Sequence, residues 1–116
     1  MKARVTVRFN GNFHKKRIKQ AVKKSVEIVT IQAAKDSNKY IAKDTGATES
    51  SVWSASNFPL GRIVWSTKYA AAIYFGTQSL RRDKNPLASH LWFEVAKKNN
   101  LEKWLRITKN AIKSNL

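Results

Sequence analysis

The stretch from Asp44 to Thr77 constrains this chain most, because helical periodicity lies on both sides of it and β-like patterning lies within it. It opens on Asp44-Thr45-Gly46-Ala47 and closes on Tyr69-Ala70-Ala71-Ala72-Ile73-Tyr74-Phe75-Gly76-Thr77. Between these lie two short β-like runs, Ser51 to Phe58 and Gly61 to Thr67. Pro59 fixes φ in the connection and Gly61 relieves it, so the two runs read as a hairpin. Upstream, Val5, Val7 and Phe9 alternate with Arg4, Thr6 and Arg8, the period of a half-buried strand, and Asn10-Gly11-Asn12 ends it as a turn. Tyr69 to Phe75 reads as a strand by its aromatics and as a helix by its alanines; the residues do not choose between them.

Ile18, Val22, Val26, Val29 and Ala33 fall on one helical stripe, with Tyr40 further along and Ala21, Ile28 and Ile31 widening it. This predicts a helix from about His14 to Lys43. Asp44-Thr45-Gly46 stops it, since Gly46 takes a positive φ without penalty. Gly76 to Pro86 is polar and basic and reads as an exposed loop. Helical spacing returns with Leu87, Leu91 and Val95, breaks at Asn99-Asn100, and resumes through Leu101, Trp104, Leu105, Ile107, Ala111 and Ile112. The expected fold is α+β. A small antiparallel sheet, made of the N-terminal strand and the hairpin, packs on a long N-terminal helix, and two C-terminal helices follow. With 116 residues the chain is long enough for one modest core, so residues 1–116 read as a single domain.

Charge is the strongest compositional signal: 23 Lys and Arg against 7 Asp and Glu give a net charge of +16. Such an excess opposes compaction and attracts polyanions. Lys2, Arg4, Arg8, Lys15, Lys16, Arg17, Lys19, Lys23 and Lys24 all precede the first acid, Glu27. The helical group among them (Lys15, Lys16, Arg17, Lys19, Lys23, Lys24) is the candidate DNA-facing set, suited to tracking phosphates without reading bases. Its basic start opposes the helix dipole, so local helix stability is not what keeps it there. The first residues have no signal-peptide pattern and the longest apolar run, Tyr69 to Phe75, is too short to span a bilayer. We therefore expect a soluble protein made in the cytoplasm, with no membrane partner.

Catalytic chemistry finds little support. Asp-Thr-Gly is also the signature of aspartic proteases, where two carboxylates share a proton across a dimer axis. There it follows a buried apolar strand; here Tyr40-Ile41-Ala42-Lys43 reads as the end of a helix. His14 and His90 lie far apart with no acid at ligand spacing, so no metal is expected. The serines have no neighbouring base, there is no cysteine, and the four glycines are too scattered for a phosphate loop. No enzymatic activity and no cofactor are expected.

In order and spacing, Asp44-Thr45-Gly46, then Tyr69-Ala70, then Phe75-Gly76-Thr77, after a basic amphipathic helix, resembles the small minor capsid and head–tail joining (tail-completion, neck) proteins of long-tailed bacteriophages. The match covers roughly residues 15 to 110. Leu91-Trp92-Phe93-Glu94 and Trp104 look closest to the minor capsid branch of phages of Gram-positive bacteria. Relatives often carry Pro-Val before Asp-Thr-Gly and a Pro-Phe pair after the loop; this chain has Ala42-Lys43 and Asn85-Pro86-Leu87. The resemblance implies a structural virion protein, synthesised in the bacterial cytoplasm and placed at the head–tail junction. It would form a homo-oligomeric ring, six-fold by expectation, between portal and tail. Its partners would be neighbouring connector and tail proteins and, nonspecifically, the genome DNA passing through. The motif residues would serve assembly, and Leu80, Arg81, Arg82, Asp83 and Lys84 would form an inter-subunit loop. The alternative is a free basic module that binds nucleic acid nonspecifically.

Overall fold

The computed structural model describes residues 2–8, 16–42, 46–76, 82 and 85–116. Strand β1 (Ala3–Thr6) is followed by the 23-residue helix α1 (Lys16–Asn38), helix α2 (Ala47–Ala55) and a single 3-10 turn (Phe58–Leu60). Strand β2 (Arg62–Trp65), the short helix α3 (Ala70–Tyr74) and the 23-residue helix α4 (Trp92–Ser114) complete the order. The class is α+β, as expected, with a two-stranded antiparallel sheet set on the α1–α4 pair.

Helices α1 and α4 run antiparallel. Near one end Asp36 of α1 bonds Lys103 and Trp104 of α4; near the other, Gln20, Lys23 and Asn115 line one groove. The buried residues of α1 are Ala21, Ser25, Val29, Thr30, Ala33, Ala34, Asp36 and Ser37. This face is rotated from the Ile18–Val22–Val26 stripe, whose members are only half-buried, and Ile28 is exposed. Small residues let the helices approach closely, and the two buried serines bring their own acceptors. Ser25 Oγ donates to Val22 O at 2.7 Å and Ser37 Oγ to Ala33 O at 2.6 Å, so neither hydroxyl is buried unpaired.

The first helix stops at Asn38, short of Lys43, because other partners take its next carbonyls. Asn85 Nδ2 donates to Lys39 O and Ile41 O, both at 2.9 Å, and Ser89 N donates to Tyr40 O at 2.8 Å. Asn38 spends its own side chain outside the helix: Oδ1 accepts from Trp65 Nε1 at 2.9 Å and Nδ2 donates to Glu49 O at 3.3 Å.

The first arm of the expected hairpin does not form. Residues 47–55 are helix α2, with Val52 buried and Trp53 exposed. Where a strand was expected on the outer edge of β2, serine hydroxyls of this segment take its place. Val64 N donates to Ser56 Oγ at 2.8 Å and Ser66 N to Ser51 Oγ at 3.1 Å. The sheet partner of β2 is instead β1, in the register Ala3↔Trp65 through Thr6↔Arg62. Tyr69 to Phe75, open on sequence, is helical over Ala70–Tyr74. The two expected C-terminal helices are one, continuous through Asn99-Asn100. Asn100 Nδ2 bonds Ala96 O one turn back at 2.9 Å, and Asn99 Nδ2 reaches Tyr40 Oη at 3.1 Å. Leu87 and Leu91 precede the helix and are exposed.

Aromatic rings fill the core. Trp92 meets Trp65 edge-on at 5.5 Å and Tyr74 at 4.7 Å, while Phe93 stacks on Trp104 at 5.7 Å. Trp65 and Trp92 are fully buried, so their rings serve core packing. Burial pushes the Tyr74 hydroxyl, with Glu94 nearby, up to about 12.

Candidate assembly and polyanion-binding surfaces

Asp44, Thr45 and Thr77 of the motif lie outside the described residues, as do Leu80, Arg81, Asp83 and Lys84 of the loop and Lys15 of the basic set. Among the described residues, 39–42 turn after α1 and Gly46 leads straight into α2.

The described motif residues divide by role. Gly46 (φ 81°) and Gly76 (φ 80°) supply left-handed turns at the start of α2 and after α3. Ala70 is fully buried in the core. Tyr69 and Phe75, which flank α3, are 51% and 65% exposed, too open to be explained by this chain's own core. Tyr69 carries the Lys68 ammonium 5.4 Å from its ring centre, and Phe75 leans on Tyr74 at 5.0 Å. Two exposed aromatics thus bracket one helical turn.

The end of the loop is tied to the scaffold. Arg82 Nε donates to Ala88 O at 3.1 Å, and His90 Nδ1 donates to Ile73 O at 2.6 Å. Asn85, nearly buried, holds the end of α1 through the two bonds given above, and its Oδ1 accepts from Leu87 N at 3.1 Å. Sequence reasoning gave Asn85 no role. The available signal was Asn-Pro, which initiates turns.

Lys16, Arg17, Lys19, Lys23 and Lys24 are all exposed on the first turns of α1. The antiparallel course of α4 brings a second basic group, Arg106, Lys109 and Lys113, toward the same end of the molecule, again exposed. The sequence offered no means of joining these groups, since about 80 residues separate them and only helix pairing unites them. Lys2, Arg4 and Arg62 line a further groove on the outer face of the sheet. Glu27 lines the groove at this end beside Lys23 and Lys24, whereas Asp36, the buried acid of the helix pair, is engaged by Gln32, Lys39, Lys103 and Trp104.

Among the described residues no three His, Asp or Glu side chains gather as metal ligands, and no helix is long and apolar enough to cross a membrane. No curated protein and no solved structure matches the chain. The model of a family described as minor capsid protein matches residues 3–112, from the first strand to near the end of α4. Over this span, with its exposed aromatics and one-signed helical end, the chain belongs to the minor capsid protein family and is a structural component of the phage virion.

Proposed function

We propose that the chain is one subunit of a homo-oligomeric ring at the head–tail junction, non-enzymatic, with its basic helical end turned toward the path of the genome. The observation that carries this reading is the meeting of two basic groups, from the start of α1 and the later turns of α4, at one end of a molecule 48 Å long. Tyr69, Phe75 and the segment around Arg82 supply contacts to neighbouring subunits and to connector or tail proteins. Six copies carrying +16 each repel one another strongly unless a polyanion or an acidic neighbour neutralises them.

Light scattering tests the assembly. The purified chain is expected to stay small at low salt and to form larger, defined species when duplex DNA is added or salt is raised. A stable ring at low salt without any partner contradicts the reading.

The rival reading, a free nonspecific nucleic-acid-binding module, rests on the same basic residues and differs in outcome. It requires tight, steeply salt-dependent DNA binding by the monomer. Replacing Lys19, Lys23 and Lys24 by glutamine then lowers the log–log salt slope by about 0.9 for each phosphate no longer neutralised. A ring subunit is expected to bind DNA weakly as a monomer. The same triple variant should instead show its main deficit in DNA-induced assembly.

A further inference from the structure

Among the described residues, the register of the sheet leaves one edge of β1 without a partner strand. Val7 N donates to Gly61 O at 2.7 Å, so Val7, and by alternation Val5 and Ala3, direct their backbone groups toward β2. The partner strand agrees, since Val64 and Arg62 bond away from β1, to Ser56 and Asn57. The N–H and C=O groups of Arg4 and Thr6 therefore point away from β2, and no described residue bonds them. An edge of this kind is a template for another strand.

Beyond that edge lies a groove of about 290 Å³ between the end of β1 and helix α4. Its floor is apolar, with Val7, Val29, Phe93 and Trp104, and its α4 wall carries Leu101 and Leu105, which are 45% and 60% exposed. A strand edge facing an apolar helix is the arrangement in which an extended peptide adds main-chain bonds on one side and buries alternate side chains on the other. Arg8 and Lys97 are the charged residues lining the groove, both exposed and without an ion-pair partner among the described residues.

We propose that this groove accepts an extended, acidic segment of another virion protein, added to β1 as a third strand. Charge selects the occupant. A second copy of β1 paired antiparallel about Thr6 would set Arg4 opposite Arg8, and a parallel copy would set Arg4 beside Arg4; like charges at facing positions are destabilising. An alternation of carboxylate and apolar side chains satisfies the cations and the leucines together. A DNA backbone offers nothing to Leu101 and Leu105.

The test titrates isotope-labelled protein with a capped peptide of alternating valine and glutamate, following amide exchange and resonance shifts. At saturation the Arg4 and Thr6 amides are expected to exchange about tenfold more slowly, with shifts at Leu101 and Leu105. The same peptide with lysine for glutamate is expected to leave them unchanged. Leu105→Glu, at a site exposed enough to spare the core, is expected to weaken binding about tenfold, which corresponds to about 1.4 kcal/mol. Four results overturn the proposal: exchange unaffected by the acidic peptide, equal protection by the lysine peptide, equal protection by a DNA duplex, or protection that grows with protein concentration alone.

Discussion

Asp36→Ala is expected to destabilise the fold by about 3 kcal/mol and to lower the melting temperature by roughly 10 °C. The carboxylate is 1% exposed and accepts from Trp104 Nε1 at 2.7 Å, Lys103 Nζ at 3.1 Å and Gln32 Nε2 at 3.2 Å. Removing it strands a buried indole N–H, and that accounts for most of the loss. Lys103 and Lys39, at 42% and 60% exposure, return to water cheaply, so Lys103→Ala should cost only about 0.5 kcal/mol. Burial alone would push the Asp36 carboxyl up; the bonds from Trp104, Lys103 and Gln32 outweigh it and hold it below its ordinary value of 3.8. The unfolded chain therefore takes up the proton first as pH falls. The contribution is complete above about pH 4 and is lost as pH drops through the folded value. Asp36→Asn, which keeps an acceptor for Trp104, should cost less at neutral pH and flatten this acid limb. Thermal melts of both variants from pH 2 to 7 check the prediction. An acid limb unchanged in Asp36→Asn counts against it.

Gly61→Ala should be about as severe, again near 3 kcal/mol, for a different reason. Gly61 ends the 3-10 turn at φ 72°, where a side chain costs about 1 kcal/mol. A Cβ there would also stand 2.4 Å from Val7 O and 3.1 Å from Val26 Cγ1. Backbone cannot yield as a side-chain tip can, so β1 must move away from β2. Gly46→Ala separates the two terms, since its φ is 81° but its Cβ meets nothing within 4 Å; it should show only the conformational part, about 1 kcal/mol. Denaturant unfolding of both variants, with amide exchange at Val7, makes the comparison. Equal losses at the two sites would show that the clash with β1 is not felt.

The alternation of Arg4, Val5, Thr6 and Val7 was enough to place β1, and apolar spacing was enough to place α1. Its buried face was harder to read, because Ser25 and Ser37 count as polar until their i−3 and i−4 acceptors are seen. Residues 47–55 misled for a related reason. Only Val52 is buried there, and the deciding interactions are serine hydroxyls bonding β2 some ten residues on. Asn99-Asn100 looked like a break because its compensating bonds, to Ala96 O and Tyr40 Oη, belong to the folded helix pair. The basic start of α1 was plain in the residues. Its extension by Arg106, Lys109 and Lys113, and the open edge of β1, depend on pairing between distant segments and could not be read locally.

The antiparallel seating of α1 on α4 also bears on how the molecule is made. During translation α1 leaves the ribosome with its small-residue face bare, and the helix that covers it emerges after every other described element. Trp92, on which Trp65 and Tyr74 close, arrives equally late. The first half of the chain therefore lacks the rings that close the core. Nascent chains halted before Trp104 should be protease-sensitive along their whole length, and the basic α1 segment would spend that interval among ribosomal RNA and other cellular polyanions.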